Sequence, residues 1–304
     1  MTLTPEQIQP ALNDMGQIFS CLPIEAQEVF IHKASELMEN RNNTSFYSYA
    51  TFKKIRDMAA AYKFPIENSS VLEIGAGKPL GMGLFWNIAG AKKYTSIDRF
   101  VPVNLDELWL ARFQWILNMN LFQPGNFRME DVIRKNGNGF VPNRDRLDLI
   151  QDVFETHPFP EESVDLIYSF AVLEHVVDIG PILKKMHAIL RKDGIMIHMI
   201  DLREHHTHIR VVPDKNTSVD FLKYSKAEWE EIYPPGSEHH INRLRASDFE
   251  RCFHECGFEI VDFSAIQRMN LTESIYAEIH PEFHRYSLDD LSMINMRAVL
   301  KKRC

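Results

Sequence analysis

Apolar residues recur at intervals of three and four along the first 66 residues, which is the spacing of amphipathic helices. The positions with this spacing are Ile8, Leu12, Met15, Ile18, Phe19, Val29, Phe30, Ala34 and Leu37. No strand-like run precedes residue 71. The pattern therefore predicts an N-terminal helical cap over residues 1–66.

From residue 71 onward, short apolar runs alternate with helical segments. The strand-like runs are residues 71–74, 94–98, 147–150, 164–169, 195–200, 258–263 and 293–300. Strands that alternate with helices are typical of a parallel sheet with helices on both faces. The last two runs are close in sequence and predict an antiparallel edge pair. We predict a doubly wound α/β fold with a mostly parallel, seven-stranded sheet whose last strand is antiparallel.

Two of the predicted helices have recognisable ends. One has Pro181 near its start and Gly194 placed as its C-terminal cap. In the other, Ser247 and Glu250 have the spacing of a capping box, and the helix is expected to run to Gly257.

The charge balance excludes one large class of function. The 304 residues contain 34 Lys and Arg against 42 Asp and Glu, a formal net charge of −8, whereas proteins that bind phosphate backbones carry excess positive charge. We therefore expect no nucleic-acid partner. No apolar run reaches the roughly 18–20 residues that span a bilayer, and the start lacks the features of a signal peptide. A cytoplasmic protein without a membrane partner is expected.

The cysteines point the same way. Four cysteines are too few and too scattered for a disulfide scaffold, which indicates a reducing compartment. Cys252 and Cys256 share a helical face with Phe249 and Phe253, so we expect both thiols in the core.

A glycine-bearing turn follows the first strand. Gly75 and Gly77 come directly after residues 71–74, and a helix is expected from Pro79. Glycine permits positive φ and a close approach of a ligand, and the helix N-terminus offers N–H groups to a polar group. Asp98 ends the next strand, where nucleotide-binding α/β folds place a carboxylate that accepts hydrogen bonds from a ribose. The alternatives are a tight turn without a ligand and a solvated or capping aspartate.

Four segments, in this order, resemble the class I S-adenosylmethionine-dependent methyltransferases, in particular type 11-like members. They are residues 73–77, 151–160, 164–176 and 190–195. The resemblance implies a Rossmann-like methyltransferase domain over residues 67–304 with S-adenosylmethionine as cofactor. The cofactor contacts that it implies are Glu73, Gly75, Ala76, Gly77, Asp98, Arg99, Asp152, Val153, Ser169 and Phe170. In this family assignment Asp98 accepts hydrogen bonds from the ribose, while Asp152 and the Val153 N–H contact the adenine.

Two features depart from the family pattern. Pro79 stands where the family often has a third glycine, so we expect a differently shaped loop near the methionine end of the cofactor. Residues 100–146 form a long insertion, which we expect to contain a helix over 105–117 and a surface loop, and to wall the active site. Two roles stay open for the N-terminal cap: covering the cofactor, or pairing with a second copy in a homodimer.

The segment after the fifth strand is the predicted acceptor site, because ligands of open α/β sheets bind at the carboxyl ends of the strands. Residues 203–245 are too long for a simple connection and indicate a lid or acceptor pocket. The candidate catalytic residues, on the grounds that a hydroxyl acceptor needs a base, are Asp201, His205 and His239. The candidate acceptor contacts are Arg203, His208, His240, Asn242 and Arg243. The alternatives are surface histidines and arginines paired with local acids.

Residues 201–205 and 242–245 resemble a methyltransferase subgroup associated with bacterial glycan or secondary-metabolite pathways. The expected acceptor is therefore a hydroxyl of a sugar or secondary metabolite. No histidine or cysteine spacing matches a recognised metal pattern, so no metal is predicted.

Two other functions fit parts of the sequence. An NAD(P)-dependent oxidoreductase shares the glycine turn and the strand-end acid, but Glu73 and the Asp152–Val153 pair favour the methyltransferase. A catalytically silent protein that binds S-adenosylmethionine would have no obvious use for the histidine-rich, aromatic segment.

Overall fold

The computed structural model describes residues 45–77, 81–101, 129–136, 139–205, 217–237 and 240–303. These residues divide into two compact units. The first ends at Pro158 and includes Val164–Leu166, and the second contains Phe159–Ser163 and the described residues from Ile167 onward. Most of the predicted N-terminal cap lies outside the described residues, and the domain boundary at residue 66 stays a prediction.

The described part of the first unit contains three helices and five complete strands. They are α1 (Ser45–Ala61), β1 (Ser70–Ile74), α2 (Gly81–Ile88), β2 (Lys93–Ile97), α3 (Met129–Val132), β3 (Ile133–Asn136), β4 (Gly139–Pro142) and β5 (Leu147–Ile150). The central sheet takes three of these strands, β1, β2 and β5, and the other two, β3 and β4, pair with each other. β2 runs parallel to both β1 and β5, with Tyr94 opposite Val71 on one side and Leu147 on the other. All three of these side chains are buried, which explains why the apolar runs form strands of the sheet interior.

The insertion is described only in its last part. Residues 102–128, which hold the predicted helix 105–117, lie outside the described residues. The expected surface loop is wrong for β3 and β4, which form an antiparallel hairpin with Ile133 opposite Pro142 and Asn136 opposite Gly139. The Asn-Gly sequence at 136–137 between apolar segments is a hairpin signal that the prediction did not use.

Strand β6 (Val164–Phe170) begins in the first unit and ends in the second. The second unit continues with a 3-10 turn at Leu173–His175, α4 (Ile179–Ile189), β7 (Leu190–Asp201), a 3-10 segment at Thr217–Lys223, α5 (Lys226–Ile232), α6 (Ala246–Glu255), β8 (Phe258–Arg268), α7 (Glu273–Glu278), a 3-10 turn at Pro281–Phe283, α8 (Leu288–Ser292) and β9 (Met293–Lys302). Among the described helices, none has the length and apolar character that crossing a bilayer requires.

Seven of the described strands form one sheet in the order β5-β2-β1-β6-β7-β9-β8. β9 runs antiparallel to both neighbours, with Met199 of β7 opposite Arg297 and Phe263 of β8 opposite Ala298. The structure thus confirms the predicted seven-stranded, mostly parallel sheet with an antiparallel last strand.

The predicted cap of α4 by Gly194 is wrong. The side chain of Asp178 caps the start of this helix by accepting the Gly180 N–H (3.1 Å), and the helix ends at Ile189. Leu190 is completely buried and extended, so the chain passes directly from the helix into β7, and Gly194 lies within that strand.

The predicted capping box of α6 is also wrong. Arg245 is the N-cap, and its N–H donates to the carboxylate of Asp248 (3.0 Å). Ser247 lies inside the helix, where its hydroxyl donates to Asp290. A carboxylate three residues after Arg245 therefore replaces the predicted Glu250. The expected end at Gly257 is confirmed by its φ of +86°.

The apolar face of α6 is formed by phenyl rings. Phe249 and Phe253 are completely buried, whereas Cys252 and Cys256 are only half-buried, so the expectation of both thiols in the core is wrong. Burial raises the pKa of both thiols, which disfavours thiolate formation.

The described part of the predicted acceptor segment belongs to a second hydrophobic core. Its buried residues are Val219, Phe221, Leu222, Trp229, Ile241, Ile275, Ile279, Phe283, Tyr286, Leu291 and Ile294. Residues from the 3-10 segment and α5 thus pack on α7, α8 and the start of β9. This part of the segment is a packed structure that holds its polar residues in place.

Candidate functional site

The turn after β1 has the backbone geometry that glycine permits. Gly75 has φ of 74° and Gly77 has φ of 59°, in the left-handed region where side chains are strained. The N–H of Gly75 donates to the carbonyl of Ile97 (2.9 Å), which ties the turn to β2. The expected positive φ at both glycines is confirmed.

Asp98 lies against this turn. Its Oδ2 accepts a hydrogen bond from the N–H of Gly77 (3.1 Å), and its Oδ1 accepts one from the N–H of Phe100 (2.6 Å). Its own N–H donates to the carbonyl of Ile150 (3.1 Å), so the ends of β2 and β5 are joined. Each carboxylate oxygen has a second lone pair that a ribose hydroxyl can use. The structure therefore brings Gly75, Gly77 and Asp98 together, as one ligand site requires.

Glu73 is buried one residue before the end of β1. Its carboxylate accepts a hydrogen bond from the hydroxyl of Tyr94, and Ala76 nearby in sequence is buried as well. Tyr94 also packs under α2, since a Cβ added at Gly83 would lie 2.7 Å from its ring and 2.4 Å from Leu147. Tyr94 was not predicted as a site residue, because the sequence pattern indicates only a buried strand position there.

The turn after β5 carries the predicted adenine contacts. Asp152 is exposed, and its two oxygens bind the N–H of Val153 (2.8 Å) and Nδ1 of His157 (2.8 Å). The side chain of Arg99 is exposed, while its carbonyl accepts a hydrogen bond from the Gln151 side chain (3.2 Å). Asp152 and Val153 thus lie together, and His157, which was not predicted, holds the carboxylate.

In the second unit, Ser169 and Phe170 end β6. Ser169 is completely buried, and its Oγ is 2.8 Å from Nδ1 of His198 in β7. Burial lowers the pKa of His198 to about 3, so this imidazole is neutral. Its Nε2 has no hydrogen-bond partner among the described residues. The Ser169 hydroxyl is therefore engaged inside the sheet.

Three predicted acceptor-site residues lie together at the end of β7. Asp201 is buried and forms a bidentate pair with Arg203, in which Nε donates to Oδ1 (2.8 Å) and Nη2 donates to Oδ2 (2.5 Å). Nε2 of His205 lies 3.5 Å from Oδ2 of Asp201. Burial alone would raise the pKa of Asp201. The hydrogen bonds and positive charge of Arg203, together with a contribution from His205, outweigh the effect of burial and hold this pKa well below its usual range. Asp201 is thus an anion, and Arg203 is paired with it.

The turn after β6 adds an acid and a histidine to this group. Glu174 is 1% exposed, and neither carboxylate oxygen has a hydrogen-bond partner within the described part of the chain. Burial, with the negative charge of Asp201, raises the pKa of Glu174 well above its usual range. His175 is exposed, its Nδ1 is 2.8 Å from the carbonyl of His240, and its ring centroid is 5.1 Å from that of His205. Glu174 was not predicted as a site residue, and His175 was predicted to have a structural place after the fourth strand, although an acid and a histidine directly after a strand are a usable signal.

One candidate ligand atom from each of Glu174, His175 and His205 lies within 4.8 Å of the other two. Asn242 holds the turn that carries the first two. Its Nδ2 donates to the carbonyls of Leu173 (2.8 Å) and Val176 (3.0 Å), and its N–H donates to the carbonyl of Glu174 (2.8 Å). Asn242 is thus a positioning residue for this group.

Arg243 is buried, and its charge is directed into the second core. Its Nη1 donates to the carbonyls of Phe221 (3.1 Å) and Tyr224 (2.7 Å), and its Nη2 pairs with Glu282 (3.3 Å). A cavity of about 290 Å³ is lined by His240, Asn242 and Arg243 together with Trp229, Glu230, Glu282 and Tyr286. Three of the predicted acceptor contacts therefore face one space, whereas His208 and His239 lie outside the described residues.

Arg245 has a structural role that charge alone does not indicate. It is completely buried, and its guanidinium donates to the carbonyls of Leu202 (3.0 Å), Leu291 (3.4 Å) and Met293. Burial lowers its pKa to about 10, which leaves it charged. Arg245 therefore joins the segment after β7 to α8 and β9.

Comparison with known proteins identifies the family. The methyltransferase-domain family model matches residues 44–262, well over half of the chain. Ubiquinone biosynthesis O-methyltransferases from two strains of Rhodopseudomonas palustris are 26% identical over 87 residues, or 28% of this chain. The matched segment spans about a third (34%) of the length of these curated relatives.

Two solved structures of similar fold are S-adenosylmethionine-dependent methyltransferases. The protein from Mesorhizobium loti is 15% identical with a TM-score of 0.43, and the match covers 81% of this chain and 96% of that one. The protein from Methanosarcina mazei is 16% identical with a TM-score of 0.42, covering 80% and 97%. The chain belongs to the methyltransferase-domain family.

Proposed function

We propose that this chain is an S-adenosylmethionine-dependent methyltransferase that methylates a hydroxyl of a small polar molecule, such as a sugar or a secondary metabolite. The observation that carries the proposal is the group formed by Glu174, His175, Asp201 and His205, which gathers ionisable side chains at the ends of β6 and β7. A hydroxyl must lose its proton as the new oxygen–carbon bond forms, and such a group can promote that loss. The curated relatives from Rhodopseudomonas palustris are O-methyltransferases, which supports oxygen as the acceptor atom.

The cofactor fits the first unit. We assign the methionine part to the main chain of Gly75, Ala76 and Gly77, because the two glycines, both at positive φ, have no side chain to block the ligand. Asp98 accepts hydrogen bonds from the ribose through its unused lone pairs, and Glu73, held by Tyr94, supports the turn from below the surface. When bound, the cofactor supplies an electrophilic methyl group on a sulfonium.

The remaining cofactor contacts require local rearrangement or use the main chain. Adenine binding by Asp152 and the Val153 N–H requires the two to part, because they are hydrogen-bonded to each other. Arg99 has an exposed side chain that is available to the ligand. Ser169 and Phe170 at the end of β6 stay candidate contacts; the Ser169 hydroxyl binds His198, and Phe170 has a half-buried ring.

The acceptor side uses the second unit. His205 promotes loss of the hydroxyl proton, and the anion of Asp201 lies 3.5 Å from its Nε2. The cavity lined by His240, Asn242 and Arg243 receives the body of the acceptor. The polar atoms of Asn242 and Arg243 bind carbonyls, so these two residues shape the wall, while His208 and His239 are further candidates for contact.

Calorimetry tests the cofactor site. S-adenosylmethionine and S-adenosylhomocysteine should bind, and NAD should not. Asp98→Ala should weaken binding roughly 10- to 100-fold, because hydrogen bonds to a charged group are each worth about 1.5–3 kcal/mol. Asp145→Ala, at an exposed aspartate of the same unit, is the matched control and should bind as the wild type does. NAD binding without S-adenosylmethionine binding would refute the assignment.

A labelled-donor screen tests the acceptor. Sugars, nucleotide sugars and phenolic metabolites are compared with amines and thiols of similar size, and the label should appear on a hydroxyl. His205→Ala should lower kcat roughly 100-fold or more and leave cofactor affinity unchanged, whereas the exposed His254→Ala should change neither. Label found only on nitrogen or sulfur, or unchanged turnover in His205→Ala, would contradict the proposal.

A further inference from the structure

Glu174 lacks a partner in a place where a carboxylate needs one. It is 1% exposed, and no side-chain donor among the described residues pairs with either oxygen. An unpaired buried carboxylate is costly unless it is neutralised by a proton or a cation. The nearest arginine, Arg203, is held in a bidentate pair by Asp201, so it does not bind Glu174. A cation bound next to Glu174 would therefore supply the positive charge that Arg203 does not.

The imidazoles of His175 and His205 lie close to this carboxylate, and each has a nitrogen that can bind a metal ion. Nδ1 of His175 is 2.8 Å from the carbonyl of His240, so it carries the proton and leaves Nε2 as the nitrogen with a lone pair. An outer hydrogen bond of this type fixes the tautomer of metal-binding histidines. Nε2 of His205 is buried without a hydrogen-bond partner in the described residues, and Asp201 lies 3.5 Å from it.

We propose that Glu174, His175 and His205 bind a divalent first-row metal ion. One atom from each residue lies within 4.8 Å of the others. An ion bonded at about 2.1 Å holds neighbouring ligands roughly 3–4 Å apart, so a small rotation of the imidazoles completes the site. Two nitrogens and one carboxylate oxygen suit Zn²⁺, Mn²⁺ or Fe²⁺ rather than Ca²⁺, which prefers oxygen alone.

The surroundings agree with a bound cation. Glu174 and Asp201 carry two negative charges when ionised, and Arg203 offsets one of them, so a divalent ion meets a net negative site. The site is also accessible, because His175 is exposed and His205 is half-buried while Glu174 forms the buried base. Three protein ligands leave further coordination positions for water or an acceptor oxygen.

The role of the ion rests on the proposed hydroxyl methylation, although its binding does not. A hydroxyl coordinated to a divalent ion loses its proton to water more readily. His205 then promotes that loss as a ligand of the ion, which specifies the role given to it above.

Ion binding is measured on the metal-depleted chain without cofactor or acceptor, so the result is independent of the methylation screen. Titration with MnCl₂ and CoCl₂, followed by calorimetry and by Co²⁺ absorption, should give one ion per chain with bands typical of nitrogen and oxygen ligands. Glu174→Gln should weaken binding roughly 100-fold or more, because it removes a direct ligand. The ion should raise Tm for the wild type and not for this variant.

Two further variants keep the test decisive if Glu174→Gln fails to fold. His205→Ala should also lose the ion, whereas His254→Ala, at an exposed histidine of α6, should retain it. Three outcomes would overturn the proposal: no saturable uptake, equal uptake by all variants, or a cobalt–thiolate band showing that Cys252 and Cys256 hold the ion instead.

Discussion

Acidification should destabilise the fold through one buried imidazole. His198 in β7 is completely buried, and its only hydrogen bond in the described structure joins Nδ1 to Ser169. Burial lowers its pKa from 6.5 to about 3, since a charged imidazole would lose its hydration there. The perturbation is therefore a change of pH, combined with His198→Gln to remove the titrating group while keeping a polar side chain next to Ser169.

The magnitude follows from proton linkage. Between the two pKa values the unfolded chain binds a proton that the folded chain excludes, so acid favours unfolding. The contribution is fully present above the unfolded value of 6.5 and is lost as the pH falls toward 3. From about pH 7 to about pH 5, His198 should remove about 2 kcal/mol from the free energy of unfolding.

Urea unfolding followed by circular dichroism measures this loss. The free energy of unfolding is determined at both pH values for the wild type, for His198→Gln and for His254→Gln, which changes an exposed histidine. Other titrating groups contribute equally to all three proteins, so the difference between proteins isolates one residue. His254→Gln should follow the wild type, and His198→Gln should lose about 2 kcal/mol less on acidification. Identical pH dependence in wild type and His198→Gln would show that this imidazole is not excluded from protonation.

Two stability predictions concern packing and buried charge. Gly83→Ala places a methyl group 2.7 Å from the ring of Tyr94 and should lower the free energy of unfolding by about 1–3 kcal/mol in denaturant titrations. In Gly180→Ala the added methyl group meets no atom closer than 3.5 Å, so this substitution should be neutral or stabilising. An equal loss of unfolding free energy in both variants would contradict the close packing of α2. Arg245→Lys removes donors from buried carbonyls and should cost about 3 kcal/mol, measured from Tm, while Arg251→Lys at an exposed site should cost little. A similar Tm for both arginine variants would rule out the role given to the buried guanidinium.

The parts of the fold that depend on local pattern were predictable. The buried run at Val71–Ile74 identifies β1, and the strand-end position of Asp98 relative to Gly75 and Gly77 predicts that the three meet. Each of these inferences needs only a strand, a turn and the next parallel strand. Nothing distant in sequence has to be known.

The parts that depend on distant partners were not predictable. Arg245 has the same charge as an arginine that binds a ligand, but its partners are carbonyls at Leu202 and Met293. Glu174 and His205 are 31 residues apart by number, and no short motif describes the group that they form with His175. The predicted end of α4 at Gly194 and the predicted start of α6 at Ser247 were wrong for a related reason. Burial of the neighbouring residues sets these two helix boundaries, whereas the prediction used capping signals alone.

The place of β9 between β7 and the edge strand β8 has a consequence for folding during synthesis. β9 (Met293–Lys302) lies between β7 and β8, although it is synthesised after both. During translation β8 therefore has no neighbour to pair with until these residues leave the ribosome, and the edge of β7 stays open for the same interval. We expect nascent chains that stop before residue 293 to be recognised by chaperones, and chains that include residue 302 to be released from them.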